Sequence, residues 1–463
     1  MTRLRDQGPT LLVATLAAAF GVALLQITGI LAAVIEVSGA AESGTVRLML
    51  GLVAGIFITI AVYVSAVVTA NTVATVVAGR TRLIALYRLI GSSARAQRAE
   101  IAREGLLVGL VGAVLGGAIG TGVAWAIGEI GVALGSIPAF ERSLLDPAVL
   151  LPMGAVVLTT WLAAWTGSRQ VLAVRPSQAL GNAAEADLDE VSRRTGRAVV
   201  VWVLGILGLG LLVLGVLVGL VRPEGVLLGL VGGILSFTAI VLAAHRIIPP
   251  VLRAVGRVFG DGPVARLAAE NAVRHPERSA RMTIGLVIGV TLVTTFAVTM
   301  ESYRTMAIAA TADQPAMQDA LGPLIDGTVA VFSTLIGFSA VIAAVGLVNT
   351  LSISILQRTR ELGLLRALGF DRRQIRGMVM LEAAALTVAA TLTGLVLGVA
   401  YGWVGAQSIL GSVGGAPGLV APTIPWPIIA IVVGAAIVLT LLASVAPMRR
   451  AARVSPVVAL AVQ

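Results

Sequence analysis

Apolar stretches of about 20 residues or more recur along the chain, each long enough to cross a hydrocarbon core of about 30 Å. They fall near 10–35, 48–78, 104–128, 147–168, 198–221, 225–248, 282–300, 327–356, 382–406 and 427–447, separated by short polar segments. This pattern predicts an all-α polytopic membrane protein with about ten transmembrane helices. A β-barrel would instead alternate over short segments of about 10 residues. The first run, Thr10–Val34, is too long for a signal-peptide core and has no clear cleavage site, so it reads as a retained span.

The polar segments contain a repeat. Asn71–Thr72, Arg80–Thr81–Arg82, Leu86, Arg88, Gly91, Arg95, Arg98 and Glu104 recur 278 residues later. Their counterparts are Asn349–Thr350, Arg358–Thr359–Arg360, Leu364, Arg366, Gly369, Arg373, Arg376 and Glu382. Arg3 and Arg281 before the first and seventh spans, and Trp125 and Trp403 closing the third and ninth, keep the same offset. Pro176–Ala179–Leu180 and Pro456–Ala459–Leu460 follow at 280. Three regions result: a first four-span repeat over 1–182, a connecting region over 183–278, and a second four-span repeat over 279–463. The connecting region holds an acidic-then-basic linker, two bridging spans and a cytoplasmic segment. Six spans separate equivalent positions, an even number, so the repeats are expected to run parallel about an axis along the membrane normal.

Between the second and third spans of each repeat lies an amphipathic segment. Leu83, Ile84, Leu86, Tyr87 and Ile90 recur at helical spacing, as do Leu362, Leu364, Leu365 and Leu368. Gly91 and Gly369 are placed to end these helices as C′ residues. A second amphipathic stretch follows and leads into Glu104 or Glu382 at the head of the next span. Two readings of the short helix stand side by side. It could lie on the bilayer with its arginines against anionic headgroups, or it could insert into a partner protein as a coupling helix.

Composition narrows the function classes. The chain is 57% hydrophobic and 12% charged, with a mean hydropathy of +0.98. It has no cysteine, which removes disulfides, thiolate metal sites and a cysteine nucleophile. All 33 basic residues are arginine. A Walker A loop needs lysine to reach the nucleotide phosphates, so any ATP must be bound by another subunit. With the N-terminus in the cytoplasm, 29 of the 33 arginines fall inside and only Arg47, Arg142, Arg222 and Arg304 outside, which the positive-inside rule supports. The net charge of +10 is this topological bias, spread over several flanking segments, and nucleic acid is not an expected partner. No acidic residue sits at mid-membrane, which counts against an ion-driven carrier. His245 and His275 have no partner at metal-ligand spacing, and no catalytic constellation is visible. The third spans are rich in glycine, from Gly105 to Gly122 and from Gly394 to Gly405. Tight helix packing is the default reading of such spacing, with a sliding interface as its alternative.

The stretch from Asn349 to Gly369 carries Arg358, Glu361, Leu362, Gly363, Leu364, Arg366, Ala367, Leu368 and Gly369. It resembles the signature of FtsX-like (MacB-like) permeases of ABC transporters. In that family the loop holds a coupling helix that touches the ATPase. The resemblance therefore implies ATPase-coupling roles for Arg80, Arg82, Tyr87, Arg88 and Gly91, and for Arg358, Arg360, Glu361, Leu365, Arg366 and Gly369. The first copy departs from the pattern at Leu83, Ala85 and Leu89, which stand where the second has Glu361, Gly363 and Ala367. The four-plus-two-plus-four layout resembles bacitracin-type permeases without their large outer domain. The implied protein is a multi-pass plasma-membrane permease with both termini in the cytoplasm. Its expected partners are two copies of an ABC ATPase subunit and membrane lipids, with no cofactor of its own. It would couple ATP hydrolysis to export or extraction of a lipid, peptide or drug. The alternative is a mechanotransmitting scaffold that transports nothing.

Overall fold

The computed structural model describes residues 8–37, parts of 55–74, 81–133, 147–169, 195–257, 270, 276–310, 369–411 and 418–451. Nine long or well-defined helices lie among them and no strand does. They are α1 (Gly8–Val37), α2 (Thr81–Leu89), α3 (Ala94–Ala133), α4 (Leu150–Gly167), α5 (Thr195–Gly219), α6 (Gly225–Gly256), α7 (Pro276–Ala310), α8 (Arg372–Leu410) and α9 (Trp426–Ala451). Seven contain segments long and apolar enough to span a membrane. About half of the expected second span, and the whole of the eighth, fall outside the described residues. The chain divides into two compact units, Met1–Ala184 and Glu185–Gln463.

In the first unit α1 lies against α3 and α4. Glycine spacing explains how closely α1 and α3 approach. A Cβ at Gly112 would meet Ala14 Cβ at 2.7 Å. One at Gly116 would meet Thr15 O and lie 2.6 Å from Ala18 Cβ, and one at Gly120 would be 2.5 Å from Ala19 O and 2.9 Å from Val22 Cβ. Removing the side chain every fourth residue lets the backbones touch, the geometry of small-residue helix packing. Gly109 does the same toward Val157 and Thr160 of α4. Gln26 in α1 donates to Thr121 Oγ1 of α3 at 3.4 Å. Thr28 and Thr159 return their hydroxyls to their own helices, which removes the donor cost in an apolar setting.

In the second unit α7 and α8 repeat this contact. Gly394 sits against Val290 and Thr291, Gly398 against Thr294 and Thr291 O, and Gly402 against Thr295 O at 2.7 Å and Val298 Cβ at 2.8 Å. By their contacts these three glycines correspond to Gly112, Gly116 and Gly120, an offset of 282 rather than the 278 of the loops. The packing patch in the second repeat is therefore one helical turn farther from its loop. The bridging helices α5 and α6 form a hairpin with backbones in contact, a Cβ at Gly215 lying 2.6 Å from Gly229 N. Ser236 of α6 shares a hydrogen bond of 2.9 Å with Tyr401 Oη of α8. At the far end of α8, Trp403 Nε1 donates to Val420 O at 2.6 Å, and Gln407 binds Gly418 O at 2.9 Å and Val420 N at 3.4 Å. These bonds strap the segment after α8 across the helix end.

The second amphipathic stretch of each repeat runs without a break into the third span. Together they form single helices of 40 and 39 residues, α3 and α8, about 60 Å long at 1.5 Å per residue. Charged residues cannot remain in hydrocarbon, but they do not end a helix. Each rod simply continues out of the apolar layer.

Candidate functional site

The repeated loop is built from a helix stop and a helix start. In the first copy Ser92 N donates to Tyr87 O at 3.0 Å and Gly91 has φ +99°. This six-to-one bond around a left-handed C′ glycine is a Schellman stop for α2. Ser93 then caps α3, its Oγ accepting from Ala96 N at 3.1 Å. In the second copy Gly369 has φ +97°, and Asp371 caps α8 in a capping box. Its side chain accepts from Arg373 N, and its own N donates to Gln374 Oε1 at 3.0 Å. Gly369 and Asp371 stand 278 residues after Gly91 and Ser93. Both loops thus reach the rod through the same left-handed turn and cap.

α2 divides its apolar residues between two surfaces. Ile84 and Ala85 are 6% and 0% exposed and pack with Val73 and Ala164, with Ala94 and Ile101 alongside. That contact fastens the short helix to the ends of its own bundle. On the other side Leu86, Tyr87, Leu89 and Ile90 are 49%, 39%, 49% and 74% exposed. A contiguous apolar patch at the end of a bundle marks a surface that meets something else.

The rod heads differ between copies. Arg98 Nη2 donates to Trp165 O at 3.2 Å, and its guanidinium lies 4.7 Å over the Trp165 ring. Arg169 approaches the same ring at 5.9 Å. A cation over the indole face is attracted by the ring quadrupole, so α4 holds Arg98 in place. Its counterpart Arg376 is exposed, as are Arg373 and Gln374, while Ile375, Met378 and Val379 on the other side of the rod are buried. α9, the counterpart of α4, has no aromatic residue after Trp426, so it carries no equivalent of Trp165.

The structure places Tyr87 in the exposed patch and Gly91 and Gly369 at the two left-handed turns. Arg82 and Arg88 lie on α2, with side chains outside the description, and Arg80, Arg358, Arg360, Glu361, Leu365 and Arg366 lie outside the described residues. Sequence reasoning missed the caps Ser93 and Asp371, although their shared offset and the Gln three residues after Asp371 signal them. It also missed Trp165, whose contact with Arg98 spans 67 residues and leaves no local pattern. Among the described residues no group of acidic, histidine or cysteine side chains could hold a metal ion.

The family profile described as FtsX-like permease C-terminal matches residues 55–176 and 333–456, one copy in each half. The chain belongs to the FtsX-like permease family. It is similar to the uncharacterised ABC transporter permease YknZ of Bacillus subtilis, 28% identical over 130 residues, covering 28% of this chain and 30% of that protein. It is also similar to the macrolide export ATP-binding/permease protein MacB of Rhodopirellula baltica, 31% identical over 140 residues, covering 30% of this chain and 19% of that protein. The MacB protein of Wolinella succinogenes matches at 31% over 135 residues, 29% of this chain and 18% of that protein. The matches thus span less than a third of these relatives' own lengths. The protein is an all-α, multi-pass membrane protein of this permease family, and the matched regions contain both loops.

Proposed function

We propose that this permease is the membrane subunit of an ABC transporter whose ATPase is a separate chain docking at the two repeated loops. The loops would face the cytoplasm, together with both termini. The observation that carries this reading is the division of α2: Ile84 and Ala85 bind it to the bundle while Leu86, Tyr87, Leu89 and Ile90 stand exposed beside the Gly91 turn. An ATPase groove closing on such a patch would push directly on α3, because only the four residues Ile90–Ser93 separate the two helices. The rod then carries that displacement through the glycine-packed contact with α1 to the far side of the membrane. Among the described residues the polar groups buried in the spans are mostly threonine and serine hydroxyls rather than charges, which suits export or extraction of a lipophilic or amphipathic substrate. Two loops on one chain would allow one permease to engage two ATPase copies.

The test is co-purification of the full permease with the ATPase encoded beside it, followed by measurement of ATP hydrolysis in vesicles. Arg88→Glu combined with Arg366→Glu is expected to abolish the complex and its coupled hydrolysis. A stable complex with unaltered hydrolysis in that double variant would overturn the docking assignment. Efflux of a lipophilic dye that requires ATP distinguishes a transporter from a mechanotransmitting scaffold.

A further inference from the structure

The bridging hairpin has no counterpart in either repeat, and one of its helices runs on well past the apolar layer. α6 has 32 residues, about 48 Å at 1.5 Å per residue against a core of about 30 Å. Its final stretch is amphipathic. Ala244, Ile248, Leu252 and Val255 are buried, while Arg246, Arg253 and Arg257 are exposed. The three arginines are spaced by seven and four residues, which aligns them on one side of the helix. Between Gly225 and Arg257 there is no acidic residue to neutralise them.

Two observations identify what this stripe faces. First, it continues the helix's outward side. Leu227 and Val231 are 47% and 48% exposed on that side, and steps of three or four residues lead from Val231 through Leu235, Thr238 and Leu242 to Arg246. Apolar side chains there give way to arginine where the helix leaves the hydrocarbon. Second, the neighbouring helix marks the depth. Gly205 lies against Ala239, Gly208 against Ser236 and Gly215 against Gly229. This antiparallel register sets Trp202 of α5 level with Leu242, one turn short of Arg246. Trp202 is 67% exposed and lies about one turn inside the apolar span that begins at Ala198, where an exposed tryptophan suits the headgroup boundary. Arg246 is therefore at headgroup depth. Arg253 is about 11 Å farther along the axis and can reach back on its long stem.

We propose that the Arg246–Arg253–Arg257 stripe is a binding site for anionic phospholipid headgroups, which anchors the bridging hairpin to the leaflet on the loop side. Phosphate is the matching chemistry: arginine's guanidinium fork donates two hydrogen bonds to adjacent phosphate oxygens. The site depends on the membrane placement of α6 and not on ATPase docking, so either assignment can fail without the other.

The experiment is native mass spectrometry of the full permease in detergent, titrated with dioleoylphosphatidylglycerol or dioleoylphosphatidylcholine. The wild type is expected to bind the glycerol lipid more tightly. Each Arg→Gln change is expected to weaken that binding about fivefold. The triple variant R246Q/R253Q/R257Q should lose the preference, and the triple Arg→Lys variant, which keeps the charge, should retain it. If the triple glutamine variant does not fold, Arg253→Gln alone is read for its fivefold change. Equal binding of the two lipids by the wild type, an undiminished preference in the glutamine variants, or a preference lost in a folded lysine variant overturns the proposal. So does a triple glutamine variant that still prefers the glycerol lipid but no longer binds the ATPase, since the stripe would then serve a protein partner.

Discussion

Gly116→Ala tests whether the repeat packs as described, because nothing at that site can move aside cheaply. The new Cβ would meet Thr15 O while lying 2.6 Å from Ala18 Cβ and 2.8 Å from Ala19 N. All three neighbours are backbone atoms or an alanine methyl, so no flexible side chain is available to rotate away. Ordinary contact requires α1 and α3 to separate by about 1 Å along a patch that also includes Gly112 and Gly120. Overpacking of this kind costs up to about 3 kcal/mol, and alanine's higher helix propensity returns up to about 1 kcal/mol. The net expectation is a loss of about 2 kcal/mol. Gly122 is the internal control: it lies on the same helix, is exposed, and has no atom within 4 Å of its added Cβ. Gly122→Ala should be neutral or stabilising by up to about 1 kcal/mol. Both variants can be measured by loss of helical circular dichroism as dodecyl sulfate is titrated into the purified permease. If Gly116→Ala proves as stable as Gly122→Ala, the close approach of the first and third spans is wrong.

Three further outcomes follow from the loops and the strap. Gly91→Ala and Gly369→Ala each force an L-residue into a positive-φ turn at a cost of about 1–2 kcal/mol. Hydrogen exchange should accelerate at the end of α2 in the first variant, and unchanged exchange at Ser92 would count against the Schellman stop. Trp165→Leu removes the ring beneath Arg98, a contact worth about 0.5–2 kcal/mol. Trypsin should then cut after Arg98 faster than in the wild type, with the rate after Arg376 unchanged. Gln407→Leu leaves Gly418 O and Val420 N without their side-chain partner, at about 1 kcal/mol for these partly buried groups. Exchange across 418–425 should rise, and an unaltered rate would show that Trp403 alone holds the strap.

Much of the architecture was legible because membrane insertion imposes simple rules. Apolar run length marks a span, and a fixed offset between polar residues marks a repeat. The glycine stops were legible too, since a left-handed helix end favours one residue type. The extent of the rods was not. Arg95, Arg98, Arg103 and Glu104 read as a boundary because they must leave the hydrocarbon, but helical hydrogen bonding is indifferent to that boundary and continues from Ala94. The inequality of the loops was visible in part through Leu83 and Glu361. The larger difference, Arg98 engaged by Trp165 and Arg376 exposed, depends on a contact between distant segments. The one-turn displacement of the glycine patches was hidden as well. Glycine recurs every fourth residue in both third spans, so sequence offers several registers, and only the partner helix selects one.

That displacement makes the two repeats unequal levers. From the head of α3 at Ala94 to the packing patch at Gly112 is about 27 Å, and from Arg372 to Gly394 on α8 is about 33 Å, at 1.5 Å per residue. If each rod tilts about its glycine patch, the same angle moves the second loop about one-fifth farther than the first. Conversely, equal strokes at the two loops rotate the second rod less, while equal forces there apply a larger turning moment. One chain thus holds a short arm geared for travel and a long arm geared for force, so a symmetric motor working on both would drive an asymmetric motion across the membrane.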